Sequence, residues 1–255
     1  MAIVLEFKDV NFQYEEDGTP IFQGLSFSVG QGEFVSLIGA SGCGKSTVFR
    51  LINRLETPSG GKILADGEDI RQCPARCGFM PQKDLLMPWR TVGENLQLPL
   101  ELQKVPREER LRRAEQMLLE VGLPDTAGRY PRELSGGMRQ RVSFGRTLMT
   151  GGEMLLLDEP FGALDYLTRV SLQEWLAEQW RRRQATVIFV THDVEEALFL
   201  STRILVLKGQ PVRQMESVSV PLPFPRTRNM LDRPEVAVLK DRLMKGLREE
   251  VTHEK

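Results

Sequence analysis

Short runs of apolar residues, bounded by glycine, proline or charged residues, recur along most of this chain. Runs rich in Val, Ile, Leu and Phe predict buried β-strands at 34–38, 154–158, 186–190 and 204–207, and weaker runs predict short strands at 62–66 and 77–80. Apolar residues at helical spacing predict helices after residue 47, across 106–122, from Ser135 to about Met149, through Leu172–Leu176 and after Asp193. Buried strands that alternate with helices are typical of an α/β fold with a largely parallel central sheet.

The two ends of the chain have different patterns. Residues 3–14 alternate loosely between apolar and polar, and 21–29 form a second such stretch after turn residues around Gly18, which together predict an antiparallel hairpin. Near the other end, 217–231 is rich in proline and is predicted to be irregular, and a last amphipathic helix is predicted to begin at 232–235.

Composition excludes several classes of protein. Hydrophobic residues make up 41% of the 255 residues, and 34 basic against 35 acidic side chains give a net charge of −1, so no nucleic-acid partner is expected. Residues 1–8 show no signal-peptide pattern, and no apolar stretch approaches the roughly 20 residues of a membrane span, so membrane association is expected only through a partner.

The three cysteines, Cys43, Cys73 and Cys77, are too few for a disulfide framework and favour a reduced, cytosolic protein. Cys73 and Cys77 have the spacing of metal ligands. Zinc is not expected there, because the only histidines, His192 and His253, are distant in the sequence and no second cysteine pair exists.

A glycine-rich loop joins the predicted strand 34–38 to the helix that follows. It fits the pattern G-x-x-x-x-G-K-[ST], with Gly39, Gly44, Lys45 and Ser46 at the fixed positions. Glycines let backbone N–H groups approach phosphate oxygens, the helix dipole favours an anion, and the lysine and serine suit phosphate and Mg²⁺. A chance match in a glycine-rich turn would not explain the strand before and the helix after. The loop therefore predicts a nucleotide-phosphate site.

Two further stretches carry candidate chemistry. Asp158 ends an apolar strand, where an acid helps to hold Mg²⁺, and Glu159 beside it has the chemistry to take a proton from an attacking water. A plain acidic pair at a strand end remains an alternative. Ser135, Gly136 and Gly137 open a predicted helix as a capping serine followed by exposed backbone N–H groups, which is a second anion-binding pattern. An ordinary capped helix would explain the serine but not the paired glycines.

With these motifs in this order, the chain resembles the ATP-binding cassette (ABC) ATPases, the nucleotide-binding subunits of ABC transporters. The resemblance covers about residues 3–215 and rests on GASGCGKST at 39–47, Gln82 after a short strand, LSGGMRQR at 134–141, LLLDEP at 155–160, FGALD at 161–165 and His192. It implies a P-loop NTPase fold with an N-terminal antiparallel β subdomain. It also implies an ATPase domain at 1–216, a helical subdomain inserted at about 83–150, and a Pro-rich tail with a C-terminal helix at 217–255.

The resemblance also implies a role for each motif residue. Two copies of the chain would enclose two ATP molecules, each bound by the phosphate loop of one copy (Gly39, Ser41, Gly42, Cys43, Gly44, Lys45, Ser46 and Thr47) and the signature (Ser135, Gly136 and Gly137) of the other. Ser46, Gln82 and Asp158 would hold Mg²⁺, and Gln82 would also sense Mg²⁺ and the water and report to the membrane subunits. Glu159 would be the general base, His192 would contact the γ-phosphate, and Asp165 would cross the dimer interface. Tyr14 would stack on adenine, and the alternative is a tyrosine at a hairpin edge without a nucleotide contact. For His192 the alternative is an ordinary residue at the start of a helix.

The function implied is that of the ATPase subunit of an ABC importer. ATP binding would close a homodimer and hydrolysis would reopen it, driving permease subunits at the cytoplasmic face of the membrane, with a periplasmic or lipoprotein solute-binding protein as an indirect partner. The stretch 82–92 and the short tail look most like the importers for nitrate, sulfonates, taurine and thiamine precursors, and the apolar residues at 85–89 are expected to form a surface loop that receives a permease helix. Packing of these residues beneath the helical subdomain is the alternative.

Three other functions remain open at this point. An exporter ATPase subunit shares the same motifs. Non-transport ABC ATPases typically carry two cassettes or a long coiled coil, neither of which is present in this sequence. A regulatory module without turnover is disfavoured because Gln82, Glu159 and His192 are all in place. Cys43 lies at a helix N-terminus, which favours a reactive thiolate, with a buried and inert thiol as the alternative.

Overall fold

The computed structural model describes residues 2–15, 18–72, 77–162 and 164–253. The prediction for Cys73 therefore lies outside the described residues. The chain divides into two compact units: unit one comprises Met1–Ala75 with Ala177–Lys255, and unit two comprises Arg76–Leu176. Within the described ranges, no helix combines the length and the apolarity needed to cross a bilayer.

An antiparallel sheet occupies the N-terminal part of unit one. It is built from β1 (Ile3–Gln13), β2 (Pro20–Gly30), β4 (Gly60–Ala65) and β5 (Glu68–Asp69), in the order β2-β1-β4-β5. Successive side chains of a strand point to opposite faces, so Leu5 and Phe7 share the buried face of β1. A register irregularity between Phe7 and Val10 lets Val10 and Phe12 be buried as well. The predicted hairpin and N-terminal antiparallel sheet are confirmed.

The second sheet of unit one contains the strand before the phosphate loop. In the order β10-β9-β3-β8 it places β3 (Phe34–Ile38) between β9 (Arg203–Leu207) and β8 (Thr186–Val190), parallel to both, and β10 (Met215–Ser219) runs antiparallel to β9. Every residue of β3 and β8 is buried, as their continuous apolar sequences predict for strands covered on both faces. The predicted α/β fold with a largely parallel sheet is confirmed.

The prediction that 217–231 is irregular is wrong at its beginning, because β10 covers Met215–Ser219. Within β10 only Val218 is fully buried, and an edge strand with one buried residue gives almost no periodic signal. The helices of unit one are α1 (Lys45–Ile52), α6 (Val194–Leu200) and α7 (Pro234–His253), so the predicted last helix is confirmed. Apolar residues of α6, α7 and the tail pack together with Ile38 and Val206 of the sheet.

The tail of unit one is fixed by a buried arginine, Arg226. Its guanidinium lies over the ring of Phe224, 3.9 Å from the centroid. It also donates at 2.7–3.3 Å to four backbone carbonyls, those of Leu198, Phe199, Ser201 and Leu222. Three of these carbonyls lie at the C-terminal end of α6, where the helix leaves carbonyls without intrahelical partners. Burial lowers the pKa of Arg226 to about 10, so the group stays charged at neutral pH.

Unit two combines a strand pair with a helical core. β6 (Cys77–Met80) runs parallel to β7 (Met154–Asp158), and both strands were predicted from their apolar runs. The helices are α2 (Val92–Leu102), α3 (Arg107–Glu120), α4 (Gly136–Leu148) and α5 (Tyr166–Arg183), which continues past the division at residue 176. Thr91 and Glu94 form a capping box that begins α2, and Ser135 caps α4. Apolar residues of α2, α3 and α4 form one cluster that includes Leu96, Met117 and Val142.

Candidate active site

The phosphate loop of unit one begins where β3 ends and closes at the first residue of α1. Gly44 has φ 101° and Gly42 has φ 81°, a left-handed conformation that glycine adopts without strain. At Gly44 a Cβ would also lie 2.7 Å from Ile21 Cγ2 and 2.9 Å from Phe22 Cε1, so β2 leaves no room for a side chain there. Ser41, Gly42 and Ser46 face solvent, which leaves this side of the loop open to a ligand.

Lys45, the first residue of α1, folds back across the loop. Its ammonium donates to the carbonyl oxygens of Gly39 at 2.9 Å and Ala40 at 2.6 Å, and only 8% of the residue is exposed. A buried ammonium is stable only when hydrogen-bonded. The loop thus holds a positive charge at its centre, where a phosphate would need it.

Cys43 is buried in the same loop, with its Sγ 3.9 Å from Lys45 Nζ. A buried thiol is what the alternative of an inert Cys43 predicts. The reactive thiolate at Cys43 stays a prediction.

Tyr14 reaches the helix that follows the loop. Its hydroxyl lies 3.1 Å from Thr47 Oγ1, and its ring packs edge-on against Phe12, with ring centroids 4.9 Å apart. The half-buried ring therefore stands beside the start of α1. This position suits an aromatic contact to a nucleotide base, and stacking itself stays a prediction.

His192 is carried by a rigid turn between β8 and α6. Thr191 before it is buried, and its hydroxyl donates to Glu196 Oε2 at 2.6 Å and accepts from Asp193 N at 3.0 Å. Asp193 caps α6 by accepting from the backbone N–H groups of Glu195 and Glu196. Because β3 and β8 are parallel neighbours, the exposed His192 and the phosphate loop follow the same edge of the sheet.

In unit two, the candidate base and the predicted sensor glutamine are in contact. β6 and β7 are parallel and end side by side, with Met80 opposite Leu157, so Gln82 and the acidic pair follow the same sheet edge. Gln82 Nε2 donates to Glu159 Oε2 at 3.1 Å. Glu159 has φ 44°, a strained conformation for a non-glycine residue and one that clusters at functional sites.

The signature stretch forms the capped start of α4. Ser135 Oγ accepts from Met138 N at 3.3 Å, and both Ser135 and Gly136 are exposed. A Cβ at Gly137 would lie 2.4 Å from Thr168 Cγ2, so any larger residue there would have to displace the side chain of Thr168 at the start of α5. Asp165 caps that helix by accepting from Thr168 N at 3.1 Å, and hydrogen bonds from the side chain and then the backbone of Thr168 lower the pKa of Asp165.

The segment after Gln82 is a surface loop with some apolar residues exposed, as predicted. Trp89 is 72% exposed and Leu85 is 56% exposed, whereas Leu86 is buried in the core of unit two. The fully buried Asn95 fixes the loop, because its side-chain amide accepts from Met87 N at 2.7 Å and donates to the carbonyl of Met87 at 3.2 Å. Leu85 and Trp89 therefore agree with the predicted surface loop, and Leu86 agrees with the alternative of packing beneath the helical subdomain.

The comparison with known families agrees with this arrangement. A family model described as ABC transporter matches residues 22–162, and the chain belongs to this family. It is an ATP-binding protein with the ABC type of ATP hydrolase domain, and the predicted family, fold class and ATPase activity are confirmed.

Two relatives and one solved structure show how close the similarity is. The chain is 44% identical over 218 residues to the formylaminopyrimidine import ATP-binding protein ThiZ of Halalkalibacterium halodurans, covering 86% of this chain and 85% of that protein. It is 48% identical over 189 residues to the taurine import ATP-binding protein TauB of Rhizobium johnstonii, covering 74% and 72%. The dimeric post-hydrolysis structure of the ATP-binding cassette MJ0796 bound to ADP and Pi matches at 29% identity with a TM-score of 0.72, covering 86% of this chain and all of that chain.

Each unit thus brings part of the predicted site together. Unit one holds Tyr14, the phosphate loop and His192; unit two holds Gln82, Asp158, Glu159 and the signature. Sequence reasoning did not anticipate that Gln82 donates to Glu159 or that Asn95 anchors the loop. The signal for Asn95 is an amide four residues after the capping threonine of a helix, a pattern too common to single out.

Proposed function

We propose that this chain is the ATPase subunit of an ABC importer, which works as a homodimer around two ATP molecules. The observation that carries the proposal is the hydrogen bond from Gln82 to Glu159, because it joins the candidate base to a loop with exposed apolar residues. The names of both curated relatives, which describe import ATP-binding proteins, support the direction of transport. Their named substrates differ, so the proposal extends only to a small solute.

In the proposed reaction, Glu159 accepts a proton from water as the water oxygen bonds to the γ-phosphorus. The bond from that phosphorus to the β,γ-bridging oxygen breaks, and ADP and phosphate leave. The amide of Gln82 orients the carboxylate, Lys45 neutralises the phosphate charge, and His192 contacts the γ-phosphate. The exposed Ser135 and Gly136 bind the phosphates held by the second copy, and Tyr14 contacts the adenine.

Mg²⁺ is proposed as the metal that accompanies ATP. The hydroxyl of Ser46, the amide oxygen of Gln82 and the carboxylate of Asp158 are all oxygen donors, the type that Mg²⁺ prefers, and such sites take few protein ligands beside phosphates and water. Bound Mg²⁺ would supply charge neutralisation at the β- and γ-phosphates.

The proposed partners are permease subunits in the membrane, at whose cytoplasmic face the chain would lie, and indirectly a solute-binding protein. We further propose that 1–216 is the ATPase domain, with a helical subdomain at about 83–150, and that 217–255 is an appended tail. Docking of the permease would use Leu85 and Trp89, since exposed tryptophan is an efficient interface anchor.

Replacement of the candidate base tests the ATPase part of the proposal. The variant Glu159→Gln removes the proton acceptor but keeps the shape of the side chain, so ATP turnover should fall by roughly a hundredfold or more. ATP binding should persist, and the variant should accumulate as an ATP-bound dimer in sedimentation experiments. Turnover at the wild-type rate would exclude Glu159 as the base, and a monomer at saturating ATP would contradict the dimer.

Truncation of the exposed tryptophan tests the docking part. The test uses a strain of the native host that lacks the gene for this chain. The variant Trp89→Ala should bind less to membranes from this strain, and it should restore less solute uptake when it is expressed in the strain. Basal ATPase of the purified chain should change little. Leu102→Ala is the matched control, because Leu102 is equally exposed, at 77%, but lies at the far end of α2. Normal binding and uptake with Trp89→Ala, or unfolding of that variant, would contradict the docking role.

A further inference from the structure

One face of α4 holds the loop that follows Gln82. The carbonyl oxygen of Asp84 accepts from Ser143 Oγ at 3.0 Å and from Arg146 Nη2 at 2.8 Å, and Arg146 Nη1 donates to the carbonyl of Leu85 at 2.8 Å. Residues 139, 143 and 146 have the spacing of one helical face. Leu85 has φ 43°, so these bonds hold the loop in a conformation that a leucine rarely adopts on its own.

The third residue on this face, Arg139, makes two contacts at once. Its Nε donates to Asp84 Oδ2 at 3.0 Å, and its Nη1 donates to the carbonyl oxygen of Leu134 at 2.9 Å. Leu134 immediately precedes the signature residue Ser135. One planar guanidinium therefore joins a side chain of the loop to the backbone at the signature serine.

The chemistry of the guanidinium makes this connection specific. Its donors lie in a fixed plane, so the two acceptors are held in a fixed relative position, whereas the ammonium of a lysine is a single point charge on a flexible stem. The carboxylate of Asp84 is fixed in turn, because its Oδ1 accepts from Leu86 N at 3.2 Å.

We infer that Arg139 is a positioning residue that transmits displacement of the loop at 82–89 to Ser135. The inference rests on the proposed function and extends it. Gln82, two residues before Asp84, contacts Glu159, so docking at Leu85 and Trp89 acts through one loop on two catalytic elements. One is the base of this copy, reached through Gln82, and the other is the signature that serves the nucleotide of the second copy, reached through Arg139.

The test uses the full chain carrying Glu159→Gln, so that ATP-dependent dimerisation can be measured by sedimentation. Adding Arg139→Gln or Arg139→Lys should weaken this dimerisation by about twofold to thirtyfold, the range typical of coupling residues. The affinity of the monomer for ATP should stay the same. Arg113→Gln and Arg113→Lys are the matched controls, because Arg113 forms an ion pair with Glu109 on α3, and they should leave dimerisation unchanged.

Amide hydrogen exchange tests transmission from the loop side. Asp84→Asn changes the loop alone, yet it should speed exchange at Met138 N, which donates to Ser135 Oγ, as well as at Leu86 N in the loop. An effect confined to Leu86 would overturn the inference, and so would normal dimerisation with Arg139→Gln. Wild-type dimerisation with Arg139→Lys would also overturn it, because charge alone would then suffice.

Failure of the proposed function gives a different result. If the parent Glu159→Gln chain does not dimerise with ATP, the homodimer is wrong, and the exchange experiment still tests the connection between Asp84 and the signature. If Arg139→Gln lowers the melting temperature strongly, Arg139→Lys, which keeps the charge beside Asp84, carries the test of dimerisation.

Discussion

Gly42 and Gly44 of the phosphate loop both have left-handed backbone conformations, and they allow a quantitative test of why this loop needs glycine. The variants are Gly42→Ala and Gly44→Ala. A left-handed conformation costs an L-residue about 1–2 kcal/mol. Gly42 has φ 81°, and no atom of the described residues lies within 4 Å of a Cβ added there. Gly42→Ala should therefore lose only this conformational cost of about 1–2 kcal/mol.

Gly44 adds a steric conflict to the same conformational cost. Its Cβ would lie 2.7 Å from Ile21 Cγ2 and within 3.0 Å of two ring atoms of Phe22, both on β2. Overpacking of this kind adds about 1–3 kcal/mol, so Gly44→Ala should lose about 2–5 kcal/mol in total. For a chain of this size the difference between the two variants corresponds to roughly 2–12 °C in melting temperature.

Urea unfolding and thermal melts of the nucleotide-free chain measure this difference. The alanine substitutions have the same effect on the unfolded chain, so that contribution cancels between the two variants. Gly246→Ala on α7 is a control without positive φ or close neighbours among the described residues, and should be neutral or stabilising by about 1 kcal/mol. Equal loss of stability in Gly42→Ala and Gly44→Ala would refute the steric reasoning.

Two further predictions concern charges. Lys45→Met removes the ammonium at the centre of the phosphate loop and should weaken ATP binding by about tenfold to a hundredfold, measured by titration with a fluorescent ATP analogue. Lys62→Met is the control, because Lys62 is exposed. Unchanged affinity in Lys45→Met would contradict a phosphate-binding role for Lys45. Hydrogen bonds from Lys208 and Arg242 lower the pKa of Glu216 below its usual 4.5, so its stabilising effect is complete above that value and is lost as the pH falls through the lower folded-state pKa. The melting-temperature difference between wild type and Glu216→Gln should therefore be largest above pH 4.5 and should shrink as the pH is lowered below that value, and a constant difference would contradict this prediction.

The parts of the fold that the sequence predicted are those with a local signal. β3, β7, β8 and β9 were located from continuous runs of apolar residues, because burial of a strand on both faces demands such a run. β10 was missed, because an edge strand that buries a single valine makes no such demand.

The candidate site divides in the same way. The phosphate loop and the capped signature helix were predictable, since their chemistry depends on adjacent residues. The bond between Gln82 and Glu159 and the bridge made by Arg139 join residues 77 and 55 positions apart. Such contacts depend on how the strands and helices pack, and no local pattern encodes them.

The buried Arg226 has a practical consequence for anyone who shortens this chain. A cut at residue 216, after the last motif, would remove a cation that satisfies three carbonyls at the end of α6. Since Asp193, directly beside His192, caps α6, the trimmed protein would lose support for the turn that carries His192. Affinity tags and fluorescent fusions belong beyond α7, and a fragment that keeps these three hydrogen bonds has to retain the tail at least through Arg226.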